Sequence, residues 1–297
     1  AVGLTMVMPD AQGPPPFFGL RPARTPLGRL RHAVVRKMLA SGMRAGTTHY
    51  NEILARHGVA PIRSDGFPHE PMLRTRRVFL NGSPGLEFPG YQPLANAEYV
   101  GPLNPARRAI GPDTPLPDAV VDPSKKVVAV SQGTVDNTDP GKLIVPTIEA
   151  LKDSEYVVVA TTAGAQTAAL RARFPQPNVV IEDFIDYDDL FPHVDVFVTG
   201  GGFGSTLAAF LHGVPVVGAG KREGKNDINA RVGYNRLGID LRSEHPKPAA
   251  IRKAVRRLLD DPTYATRVAN LRAELDSYHP MTTIEDMLLR ESVTTGP

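Results

Sequence analysis

The chain has 297 residues, 41% of them hydrophobic, with 34 lysines and arginines against 31 aspartates and glutamates. That length and apolar content fit one large or two ordinary globular domains with packed cores. The near balance of charge, +3 overall, excludes a dedicated nucleic-acid binder. The absence of cysteine excludes disulfides, thiolate zinc sites and a cysteine nucleophile. No apolar run approaches the length of a membrane span, and residues 1–9 carry no basic leader pattern, so the expected location is cytoplasmic.

Along the front of the chain, residues 3–8 predict a strand and 12–22 a loop. From Ala11 to Asn51 there is no acidic residue, while Arg21, Arg24, Arg29, Arg31, Arg36, Lys37 and Arg44 alternate with Leu27, Leu30, Val34, Met38 and Leu39 at helical spacing. This predicts a basic amphipathic helix over 21–44. Such a helix is either a contact surface for anionic lipid or an acidic partner, or a solvated outer face above a core stripe, which is the commoner arrangement. Short strands are expected at 77–80 and 97–100. The six prolines of residues 101–125 then read as an interdomain linker. The front half thus holds only fragments of an α/β pattern.

Beyond residue 125 the pattern becomes regular. Strands are predicted at 126–131, 156–161, 179–181, 194–198, 214–217 and 239–241, separated by helices or turns at 143–152, 165–173, 188–191, 203–211 and 225–237. Near-continuous valine runs are what a parallel sheet buried on both faces requires. Two amphipathic helices at 249–259 and 264–275, and a short one after Met281, complete a doubly wound domain.

Within it, the run from Val194 to Thr206 carries an apolar strand through Gly200, Gly201 and Gly202 into a helix that starts with small, hydroxylated residues. Glycine permits close approach to the backbone, and a first helical turn offers unpaired N–H groups at its positive end, so the junction suits an anion. It does not fit the dinucleotide fingerprint, where Ser205 would have to be glycine, and no P-loop is present. A tight packing turn fits the same residues. Ser131, Gln132, Gly133 and Thr134 follow the domain's first strand at the same sheet edge, and two such loops could clasp a diphosphate between them.

The ordered set of Val130 to Thr134, Phe184-Ile185, Asp195 to Thr206, Gly213 to Val217, Asn229 to Val232 and Leu237 to Ile239 resembles the C-terminal domain of UDP-glycosyltransferase-like enzymes of the GT-B fold. The likeness is strong over residues 119–280 and weaker over 14–103. It implies an α/β, GT-B type architecture: a doubly wound, Rossmann-like donor domain at 119–297 and an incomplete N-terminal acceptor domain with linker at 1–118. It further implies transfer of a sugar, with inversion, from a UDP- or dTDP-sugar to a hydroxyl of a small lipophilic acceptor, without metal or other cofactor. By the same likeness, Ser131, Gly133, Thr134, Gly201, Gly202, Gly204, Ser205 and Thr206 meet the nucleotide's phosphates. Phe184 and Ile185 flank its base, and Glu223, Lys225 and Asn226 reach the donor sugar. Aligned donors there would stabilise the departing diphosphate.

Departures from the family pattern are equally specific. Gly200 stands where many members have a histidine, and Gly224-Lys225 where they have an Asp-Gln pair, leaving Glu223 or Asp227 as candidate carboxylates. The family's histidine general base has no counterpart: His49, His57 and His69 fall elsewhere, His193 and His212 read as structural or capping residues, and no catalytic residue is assigned. The expectation is therefore a chain that binds nucleotide but transfers sugar poorly alone, completed by a missing N-terminal segment, a second polypeptide or a homo-oligomer. The alternatives are a noncatalytic nucleotide-sugar-binding remnant or regulatory partner, and a nucleotide-sugar epimerase of the same fold.

Overall fold

A computed structural model of the chain describes residues 2–3, 13–63, 70–103, 116–133 and 137–294. In chain order the elements are β1 (Val2–Gly3), α1 (Pro26–Gly42), α2 (Arg44–Arg56), α3 (Glu70–Leu73), β2 (Val78–Asn81), β3 (Ala97–Gly101), α4 (Asp118–Val121), β4 (Val127–Ser131) and α5 (Ile144–Leu151). They continue with β5 (Val157–Thr161), α6 (Thr167–Arg173), β6 (Val179–Glu182), α7 (Tyr187–Leu190), β7 (Val196–Thr199), α8 (Phe203–Leu211), β8 (Val216–Gly218) and α9 (Lys225–Tyr234). The last are β9 (Gly238–Asp240), α10 (Pro248–Asp260), α11 (Pro262–Asp276) and α12 (Pro280–Thr294).

The larger sheet has six parallel strands in the order β6-β5-β4-β7-β8-β9. Its valine runs are continuous because alternate residues enter different cores. Val127, Ala129, Val157, Val159, Phe197 and Val216 meet α8, α9 and α11 on one face. Val128, Val130, Val158, Ala160, Val196, Val198 and Val217 meet α5, α6 and α10 on the other. This is the doubly wound domain expected, with each strand within two residues of its predicted bounds. The order reverses between β4 and β7, and in open α/β sheets the ligand crevice lies at that point, outside the carboxyl ends of the strands.

The front of the chain departs further from expectation. The basic helix predicted over 21–44 is present but shorter, as α1 of 17 residues (Pro26–Gly42), and a second helix, α2, follows it across Met43. The anticipated core stripe faces outward: Leu27, Leu30, Val34 and Met38 are all exposed, and the buried residue of α1 is His32. Most of the strand predicted at 3–8 lies outside the described residues. This half also holds a small parallel sheet, β1-β2-β3. Of the predicted linker, 104–115 lies outside the described residues. The end of that stretch is not linker: Val120 is buried in the core of the larger sheet, with Leu116 and Ala119 packed on it.

The C-terminal helices return to the smaller sheet. The N–H of Gly85 donates to Glu274 at 3.0 Å. At Gly101, φ +91, a β carbon would stand 2.1 Å from that of Tyr278, so only glycine fits there. The last helix, α12, runs 15 residues and is longer than predicted.

Candidate functional site

At the sheet's switch point, β4 and β7 end in two glycine-bearing loops. After β7, the N–H of Gly201 donates to Thr199 Oγ1 at 3.3 Å, and Gly202 is the N-cap of α8 with no side chain capping it. The first α-type bond of the helix runs from the Thr206 N–H to the Gly202 carbonyl, so the amides of Phe203, Gly204 and Ser205 lack an intrahelical acceptor of that kind. Gly201 has φ +92, and a β carbon there would stand 2.3 Å from Asn229 Oδ1. Asn229, fully buried on α9, donates from Nδ2 to the carbonyls of Gly200 (3.3 Å) and Gly220 (3.2 Å) and so ties the loops after β7 and β8 together. The terminus of α8 thus turns free backbone N–H groups and its partial positive charge toward the crevice, the arrangement that favours an anion.

Across the crevice, Gly133 has φ +90, and nothing lies within 4 Å of where its β carbon would be. Gln132 holds this loop: its Oε1 accepts from the N–H groups of Leu143 and Ile144, both at 3.0 Å, while Nε2 donates to the Asp139 carbonyl. The sequence places Gln132 in this loop but gives no sign of its bracing role, since Asp139, Leu143 and Ile144 lie 7 to 12 residues further on. Gln132, Gly200, Gly220, Lys225 and Glu244 line a narrow depression between the loops.

The predicted site residues separate into three groups. Gly133, Gly201, Gly202, Gly204 and Ser205 come together at the two strand ends, and Thr134 lies outside the described residues. Ser131 is buried; its Oγ accepts from the Gly133 N–H at 3.3 Å, and its hydroxyl also meets Tyr187, so it shapes the loop from beneath. Thr206 lies beneath them: its side chain is buried and its N–H donates to the Gly202 carbonyl. At the end of β6, Phe184 is 48% exposed while Ile185 packs against the core.

The predicted sugar loop divides as well. Asn226 donates from Nδ2 to the Phe17 carbonyl at 2.7 Å, and the buried Asp227 carboxylate accepts from the N–H groups of Phe17 (2.5 Å) and Gly19 (2.7 Å). Both side chains therefore hold the front loop: the Asp227 carboxylate is engaged by two backbone amides, and the Asn226 Nδ2 by the Phe17 carbonyl. Burial raises the Asp227 carboxyl above its ordinary range, against the lowering effect of these bonds. Phe17 takes φ +72, unusual for an aromatic residue, and both it and Phe18 are about half exposed beside the α9 terminus. Lys225 and Glu223 remain at the crevice. His212 forms the C-cap of α8, and its ring meets Asp188 at 3.1 Å, consistent with a structural residue. His49 and His57 are exposed on α2 and at its end, and His69 lies outside the described residues. Among the described residues, no group of three or more histidines, aspartates or glutamates is arranged to hold a metal, and no helix is long and apolar enough to cross a membrane.

Residues 145–288 match the family model of the erythromycin biosynthesis protein CIII-like C-terminal domain. Over 260 residues the chain is 36% identical to 4'-demethylrebeccamycin synthase of Lentzea aerocolonigenes, covering 86% of this chain and 60% of that protein. It is 31% identical over 291 residues to UDP-glycosyltransferase 2 of Phaeomoniella chlamydospora, covering 96% and 64%. The chain thus spans about three fifths of the length of these relatives. Among solved structures, the glycosyltransferase of kitacinnamycin superposes with a TM-score of 0.69 at 24% identity, over 88% of this chain and 66% of that one. The calicheamicin glycosyltransferase CalG4 superposes with a TM-score of 0.64 at 22% identity, over 84% and 61%. The chain shares the GT-B fold of these structures, and in sequence it is similar to these relatives and, over residues 145–288, to the erythromycin biosynthesis protein CIII-like C-terminal domain.

Proposed function

We propose that the chain is the donor-binding part of a glycosyltransferase that moves a sugar from a UDP- or dTDP-sugar to a hydroxyl of a small lipophilic natural product, with inversion. The observation that carries this reading is the uncapped N-terminus of α8 behind Gly201 and Gly202, set where the strand order reverses. A diphosphate there gains backbone donors from one loop, with Gly133 open opposite and Phe184 exposed at the end of β6 for the base. The same donors favour the leaving diphosphate, whose charge grows as the glycosidic bond breaks. The reading includes no metal. The exposed Phe17 and Phe18, held to α9 by Asp227 and Asn226, supply apolar surface on the acceptor side.

A nucleotide-sugar-binding module is the second reading, since the site's backbone donors would hold a nucleotide whether or not a sugar is transferred. The relatives' names, a synthase and a glycosyltransferase, favour transfer over epimerisation. A thermal-shift series with UDP, dTDP and their sugars tests donor binding: a ligand at 100 times its Kd adds about 2.7 kcal/mol of stability. No shift with any of them refutes the site. Acceptor-dependent release of nucleoside diphosphate, measured with and without chelator, then separates enzyme from binding module and tests the metal-free reading.

A further inference from the structure

Helix α1 turns its apolar stripe outward. Leu27, Leu30, Val34 and Met38 recur at helical spacing along it and are from 48% to 75% exposed. Such a stripe ordinarily faces a core, yet here the opposite side of the helix does so. His32 is buried there, and the guanidinium of Arg36, one turn further on, donates to the Gly13 carbonyl. Just before the helix, the Arg24 guanidinium donates to the Tyr234 hydroxyl at 3.0 Å and ties this segment to the end of α9. The helix is thus fixed by its polar side and leaves four large apolar side chains contiguous in water. An unburied row of that kind adds nothing to the stability of the fold and marks a docking face.

The charges beside the stripe decide what it fits. The helical turn sets Lys37 along one border, next to Leu30, and Arg31 along the other, next to Leu27 and Met38. Both cations are exposed, as are Arg29 and Arg44, and no acidic residue occurs between Ala11 and Asn51. A second copy of this chain, docked through the same face, would set cation against cation across the two-fold axis. A nucleic acid would leave the four apolar side chains against phosphate and water. A bilayer surface that carries anionic lipid satisfies both features at once, because it offers an apolar layer directly beneath a layer of negative headgroups.

We propose that α1 is a membrane-docking helix for surfaces rich in anionic lipid. Its axis lies along the surface, its stripe from Leu27 to Met38 enters the boundary between headgroups and acyl chains, and Arg31 and Lys37 hold lipid phosphates on either side. The contact is peripheral: among the described residues no helix is long and apolar enough to cross a membrane.

Co-sedimentation of the full chain with vesicles tests it, comparing phosphatidylcholine alone with an equal mixture of phosphatidylcholine and phosphatidylglycerol. Binding is expected to the mixed vesicles only, and to weaken as salt is raised. Arg31→Gln combined with Lys37→Gln is expected to weaken it about twentyfold, at roughly fivefold for each cation near an anionic surface. Leu27→Gln, Leu30→Gln and Met38→Gln together are expected to weaken it at least tenfold through lost insertion. All five positions are exposed, so these variants keep the fold, which their melting temperatures check. The chain has no tryptophan, so Val34→Trp supplies a single indole whose emission moves to the blue on mixed vesicles when the stripe is inserted. No binding to mixed vesicles, equal binding to phosphatidylcholine, binding that survives either set of glutamine substitutions, or an unshifted indole overturns the proposal. Self-association of the full chain that the three apolar substitutions abolish overturns it in favour of a second copy on this face.

Discussion

The ion pair between Glu87 and Arg231 joins the two halves of the chain, and breaking it on one side only is expected to be costly. Arg231 Nε donates to Glu87 Oε2 at 2.6 Å, with the two side chains 6% and 2% exposed. The guanidinium also donates to the Asp227 carbonyl at 3.1 Å and lies 4.7 Å over the Phe88 ring, while the Tyr99 hydroxyl donates to Glu87 Oε1 at 3.3 Å. Arg231→Met fills much of the same volume but leaves a carboxylate buried without its cation, which costs about 3–5 kcal/mol. For a chain of this size that lowers Tm by roughly 6–20 °C, at about 2–4 °C per kcal/mol.

The companion variant Glu87→Leu with Arg231→Met removes both charges and is expected to regain most of that loss, since an apolar replacement of a buried pair is often close to neutral. The pH profile adds an independent check. Burial already pushes the Glu87 carboxyl above its ordinary range while Arg231 opposes it, so removal of the arginine raises it further. A raised carboxyl binds its proton more tightly in the folded state, so the stability it contributes is complete below the unfolded carboxylate range and is lost as pH rises through the folded value. Arg231→Met should therefore lose most stability near neutral pH and recover part of it toward pH 4–5, an approximate window set by the ordinary carboxylate range. Thermal melts of the three proteins across pH measure this. A loss under about 1 kcal/mol in Arg231→Met, or a double variant no more stable than the single, refutes the argument.

Other substitutions separate space from chemistry. Gly201→Ala puts a methyl group 2.3 Å from Asn229 Oδ1 at φ +92 and is expected to cost about 2–4 kcal/mol in a melt and to abolish nucleotide binding. Gly204→Ala meets nothing within 4 Å inside α8 and should leave stability unchanged or raise it by up to about 1 kcal/mol, with nucleotide affinity kept. Asp227→Asn loses one acceptor for the Phe17 and Gly19 amides and should cost about 1–2 kcal/mol at neutral pH. Because burial raises the Asp227 carboxyl, its removal also reduces the loss of stability between acid and neutral pH, which melts of both proteins read directly.

The back half of the chain was legible because its strands are buried on both faces. Val127 to Val130 and Val157 to Val159 admit no polar residue, and the glycines at 200–202 can follow such a strand only as a turn. Local pattern and global position agree there. The front half was less legible because its contacts are remote in sequence. Nothing near Leu27, Leu30, Val34 and Met38 signals that they face outward while His32 turns inward, since helical periodicity fixes a face but not its direction. In the same way, Asp227 and Asn226 look like polar loop residues until the Phe17 to Gly19 segment, more than 200 positions away, is seen to occupy them.

That division of labour within α9 accounts for the shape of the site. Asp227, Arg231 and Asn235 recur every four residues and so share one helix face, and each holds a piece of the front half: the loop at 17–19, the carboxylate of Glu87, and the carbonyls of Leu86 and Glu87. Asn229 leaves that face to tie the loops after β7 and β8, and Lys225 begins the helix in the slot between them. One ten-residue helix thus positions the aromatic front loop and the crevice at the strand ends against each other. A perturbation of its clamping face should therefore reach donor binding without touching a donor-contact residue. The fall in nucleotide affinity of Asp227→Asn relative to its fall in stability measures that transmission, and stability loss with unchanged affinity would show that the two ends of α9 act independently.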